Sequence, residues 1–79
     1  MEKQAIPRID LAMRIFDRLR EEPDCSDVRE VTISQVHVVN EGTTWRANIA
    51  DYGNAKQSVA DRALERIQGP LMSMFALAD

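Results

Sequence analysis

Only one stretch of the chain, Val28 to Tyr52, has strand character, and the turn residues Asn40-Glu41-Gly42-Thr43 divide it into two runs. Nothing else in the sequence narrows the fold as much. A single hairpin is marginally stable at best in water, so the segments on either side must cover it. Both of those segments carry helical periodicity. The expected fold class is therefore α+β, in the order α-β-β-α: an antiparallel β-hairpin packed against two helices in a single domain, residues 1–79.

In the first run Val31 and Ile33 alternate, and so do Val36 and Val38, but the two pairs are out of phase. A β-bulge near Ser34-Gln35 would bring both onto one face. Otherwise the pairs face opposite ways and both faces are partly covered. In the second run Trp45, Ala47 and Ile49 share a face, which predicts a buried Trp45. A two-residue loop at Glu41-Gly42 sets Val38 opposite Trp45 and His37 opposite Arg46. A three-residue loop with Gly42 left-handed shifts that register by one.

The first helix is expected from Pro7 to Glu22. Pro7 suits a first helical turn, and Pro23 ends the segment. Ile9, Ala12, Met13, Phe16 and Leu19 form the main apolar stripe, broadened by Leu11 and Ile15. Asp24 to Asp27 reads as a loop. The second helix begins near Ala55, with Ala60, Leu64, Ile67, Leu71, Met74 and Ala78 at spacings of four and three. That stripe keeps its phase through Gly69-Pro70, so we expect one helix bent there. The alternative is two helices split at that point, because proline inside a helix costs about 3 kcal/mol or more.

A domain near this size buries roughly 60% of the surface its unfolded chain exposes. Such domains commonly rely on a disulfide, a metal or a second chain. The one cysteine, Cys25, rules out an intrachain disulfide. With a single histidine, His37, no Cys/His zinc site can be assembled from one chain either. No cofactor or metal is expected, and self-association is the staple that remains. The segment Leu71 to Ala78 is apolar on nearly every side of a helix, so Leu71, Met72, Met74, Phe75 and Leu77 are the expected partner-binding residues. The hairpin offers a second route to a homodimer, since neither strand has a proline or lysine to guard its edge.

Ten basic and thirteen acidic residues give a net charge of −3. Residues 1–23 and 55–79 are each neutral, so the whole excess lies in the loop and hairpin. A nucleic-acid binder gains most of its affinity from a basic surface, and none is present. The element order is shared with double-stranded-RNA-binding domains, but those have three strands and a lysine cluster opening the second helix; here there is one lysine, Lys56. No nucleic acid is expected as a partner. No apolar run reaches the roughly 20 residues of a membrane span or the length of a signal peptide. The expected setting is cytoplasmic, away from membranes.

Catalytic constellations are missing. His37 has no nucleophile near it in sequence and reads as an exposed strand residue. Cys25 lies beside Asp24 and Asp27, whose charges oppose thiolate formation. Asp24, Asp27 and Glu30 lack the alternating oxygen ligands and central glycine of a calcium loop. Gly53-Asn54 lacks the further glycine and the Lys-Ser/Thr pair of a phosphate cradle. The chain is not expected to be an enzyme.

The residues Thr44-Trp45-Arg46-Ala47-Asn48-Ile49, then Gly53-Asn54-Ala55, then Asp61-Arg62-Ala63-Leu64 resemble small uncharacterised bacterial α-β-β-α proteins, some of prophage origin. The resemblance covers about the last 40 residues and implies a tryptophan-bearing strand leading into a closing helix. It implies no site. The expected function is a non-enzymatic protein–protein interaction module, a homodimer with a protein partner yet to be named. The alternative is a nucleic-acid-associated or regulatory protein with a local contact surface.

Overall fold

The structure, a computed structural model, describes residues 3–39 and 42–78. In chain order it contains strand β1 (Gln4–Ile6), helix α1 (Arg8–Arg20), a 3₁₀ turn at Pro23–Cys25, strands β2 (Glu30–Val38) and β3 (Gly42–Asp51), helix α2 (Gln57–Met74) and strand β4 (Phe75–Leu77). Two helices and an antiparallel hairpin are as expected. The terminal strands β1 and β4 are additional, so the order is β-α-β-β-α-β. They pair in parallel, Gln4 opposite Phe75 and Ile6 opposite Leu77, and Ala78 N–H donates to the Ile6 carbonyl at 2.8 Å.

Helix α1 begins one residue after Pro7, whose carbonyl accepts the Leu11 N–H at 3.0 Å. Asp10 in its first turn and Arg18 and Arg20 in its last complement the helix dipole. Its buried line is Leu11, Ile15 and Leu19, while Ile9 and Met13, expected in the core stripe, are exposed. The helix is apolar around more than half its circumference. The sheet and α2 approach from one side only and select the bulky Leu-Ile-Leu line.

The hairpin register differs from both loop expectations. Val38 lies opposite Gly42, Gln35 opposite Trp45, Ile33 opposite Ala47 and Val31 opposite Ile49. His37 therefore faces Thr43 rather than Arg46. Asn40 and Glu41 of the expected turn lie outside the described residues. Pairing Val31 and Ile33 with Ile49 and Ala47 gathers the branched side chains on the Trp45 face, and burial of that face decides the register. The irregularity falls between Glu30 and Val31, not near Ser34-Gln35. Val36 and Val38 accordingly lie on the opposite face from Val31 and Ile33, half-buried.

α1 packs over β2, and α2 packs over β3. The core between them holds Trp45, Leu11, Ile15, Leu19, Val28 and Cys25, all under 2% exposed. Trp45 is thus buried as the strand alternation requires. Cys25, in the segment expected to be a loop, closes the end of this core from the 3₁₀ turn.

α2 starts at Gln57, two residues later than expected, and runs unbroken through Gly69 and Pro70. It stops at Met74, where Phe75 turns to extended backbone, φ −127° and ψ 146°. Residues 75–77 are therefore strand, not the last helical turn, and Ala78 is exposed. The change is stabilised by hydrogen bonds on both sides of the chain. Trp45 Nε1–H donates to the Phe75 carbonyl at 3.0 Å, and β1 supplies the parallel ladder.

Candidate functional site

The expected partner-binding residues divide by burial. Leu71 and Phe75 belong to the chain's own core, and Met72 and Leu77 pack against it half-buried. Met74 alone projects, 55% exposed. The Arg14 guanidinium sits 5.0 Å from the centre of the Phe75 ring and covers its outer side. Most of the apolar excess read from this segment is consumed by α1, Trp45 and β1.

The largest exposed apolar side chains elsewhere are Ile9, Met13, Val39 and Val59. Ile9 and Met13 are one helical turn apart on α1. Their direction follows from the helix geometry. Arg14 lies over Phe75, Glu22 bonds Arg66, and Arg18 lines a hollow with Ile67, so that side of α1 faces α2. At about 100° per residue, Ile9, Met13, Phe16 and Arg20 lie about 140–180° round from it. They overhang the outer side of β2. Arg20 closes the row by standing over the Phe16 ring and donating from Nε to the Ser26 carbonyl at 3.2 Å.

The outer edge of β3 is treated differently. Gln68, the one buried polar side chain among the described residues, uses Oε1 to accept the Ala47 N–H at 2.9 Å. Tyr52 donates from its hydroxyl to Asp61. A polar cleft of about 540 Å³ runs between this edge and α2, with Arg46, Asn48, Arg62 and Glu65 on its walls. The tyrosine pKa is raised, chiefly by that hydrogen bond to Asp61, then by burial and by the Asp61 charge, with a hydrogen bond to Gln57 opposing. A phenol held protonated against a carboxylate donates one proton to a fixed partner; it supplies no nucleophile.

Residues weighed for chemistry are dispersed. His37 is exposed on β2 near the hairpin tip. The Cys25 thiol is inaccessible, its pKa raised by burial first and then by Glu22 and Asp24, against a smaller opposing pull from Arg66. Among the described residues no three His, Cys, Asp or Glu side chains group to hold a metal ion, and no helix is long and apolar enough to cross a membrane.

Sequence reasoning missed Gln68, Tyr52–Asp61 and the Ile9–Met13 row. Gln68 follows Leu64 by one turn, but an amide in an apolar phase does not announce which backbone group it will meet. Ile9 and Met13 are visible as apolar, and their spacing with Phe16 predicts them inward, whereas both are exposed. No family model matches the chain, and no curated protein or solved structure matches it.

Proposed function

We propose that the protein is a non-catalytic protein–protein interaction module that acts as a homodimer. The observation that carries this reading is the exposure of Ile9 (69%) and Met13 (59%) side by side on one helix. Isolated exposed apolar residues are normal, whereas contiguous apolar patches rimmed by polar groups mark contact surfaces. The absence from the sequence of any disulfide or Cys/His zinc option supports the same reading. Met74, rimmed by half-buried Met72 and Leu77 and held in place by Leu71 and Phe75, is a separate apolar point, left for a protein partner other than the second copy. The bend expected at Gly69-Pro70 would aim that end of α2. Nucleic acid is not part of the reading, because both helical segments are electrically neutral.

Light scattering over a concentration series tests it. The expected result is a mass of about 18 kDa, twice the chain mass of 9.0 kDa, falling toward one chain on dilution. A folded species of one-chain mass at high micromolar concentration overturns it.

A further inference from the structure

The two outer edges of the hairpin are not equivalent, and the difference identifies one of them as an interface. In an antiparallel ladder, residues alternate between bonding their partner strand and pointing their N–H and C=O away from it. The Ala47 N–H is taken by Gln68 from outside the ladder. Trp45, Ala47 and Ile49 therefore turn their backbone groups outward on β3, and their partners Gln35, Ile33 and Val31 do so on β2. On the β3 side that edge is stoppered by Gln68 and overhung by the polar face of α2. On the β2 side no described residue bonds the outward groups, and the overhanging face of α1 is apolar.

We infer that the outer edge of β2, together with the Ile9–Met13–Phe16–Arg20 face of α1, is the surface on which a second copy of this chain docks about a twofold axis. The inference rests on the homodimer reading above and names its surface. A twofold axis perpendicular to the sheet joins β2 to β2 in antiparallel fashion, so each outward N–H meets a carbonyl of the other copy. The same axis keeps both helical layers on one side of the resulting four-stranded sheet and sets α1 against α1, antiparallel. Charge agrees with that match. Asp10 and Asp17 flank the apolar row and Arg20 closes its C-terminal end, so antiparallel helices bring Asp10 of each copy toward Arg20 of the other.

Three variants of the full chain test this by light scattering, with far-ultraviolet circular dichroism and Trp45 fluorescence as checks of folding. Met13→Glu charges the exposed row. Gln35→Pro removes one outward N–H that has no partner among the described residues, a position where an edge strand accepts proline. Met74→Glu charges the projecting end of α2 and is the comparison. The expected result is a halving of mass from about 18 kDa to 9.0 kDa for Met13→Glu and Gln35→Pro, both folded, and an unchanged dimer for Met74→Glu. Dimers that survive Met13→Glu and Gln35→Pro but are lost with Met74→Glu overturn this surface while leaving the homodimer reading intact. A wild-type chain that is monomeric overturns both.

Discussion

Gly53 and Gly42 both have positive φ, +59° and +86°, yet they do different work. A Cβ at Gly53 would lie 2.1 Å from the Asp27 carbonyl oxygen, a backbone atom that cannot step aside. The turn after β3 is thereby pressed against the loop before β2, where Arg29 N–H bonds the Asp51 carbonyl at 2.9 Å. At Gly42 a Cβ meets open space, so only the left-handed backbone resists it. Gly42→Ala should cost about 1–2 kcal/mol, and Gly53→Ala distinctly more; equal urea midpoints for the two variants would refute the close approach. Trp45 separates apolar burial from hydrogen bonding in the same way. Trp45→Phe keeps a buried ring but strands the Phe75 carbonyl, at a cost of about 1–3 kcal/mol, whereas Trp45→Ala should cost about 3–5 kcal/mol. Equilibrium unfolding of both variants checks the order, and indole emission in the folded wild type should be blue-shifted relative to free tryptophan.

Helix α2 carries an internal proline and a glycine at adjacent exposed positions. Pro70 withholds an N–H from the Arg66 carbonyl, one turn before it. Gly69 adds backbone entropy without packing a side chain, and a Cβ there meets nothing within 4 Å. Gly69→Ala should therefore stabilise the protein by about 0.5–1 kcal/mol. Pro70→Ala should stabilise it further by restoring the hydrogen bond. Thermal melts decide: a loss of stability in Pro70→Ala alone would show that packing depends on the proline. The helix survives this pair because Leu64, Gln68 and Leu71 hold it to the core on either side.

For the whole molecule, the raised pKa values of Cys25 and Tyr52 contribute to the alkaline limb of stability. The unfolded thiol and phenol release their protons near their ordinary values of 9.0 and 10.0. The folded groups hold theirs to higher pH. Above about pH 9 the unfolded chain thus binds fewer protons than the folded one, and stability falls as pH rises. The contribution is complete below the unfolded values and is lost as pH climbs through the folded ones. In urea titrations between about pH 8 and 11, wild type should weaken more steeply above pH 10 than Tyr52→Phe. Parallel slopes would mean that the phenol titrates alike in both states.

The periodicities by themselves determined that a hairpin lies between two helices and that Trp45, Ala47 and Ile49 face the core, and they favoured one helix through Gly69-Pro70 over two. Each of these depends on spacing along one segment, which a sequence displays directly. Tertiary structure decided which of two apolar lines on α1 turns inward, because that choice belongs to the shape of the sheet and of α2. It decided the hairpin register, where burial of Val31 and Ile33 against Ile49 and Ala47 outweighed the loop residues. It also ended α2 at Met74: helical phase continues to Ala78, but the Trp45 indole and strand β1, remote in sequence, bond Phe75 to Leu77 as a strand. Those partners lie tens of residues away, and no local pattern records them.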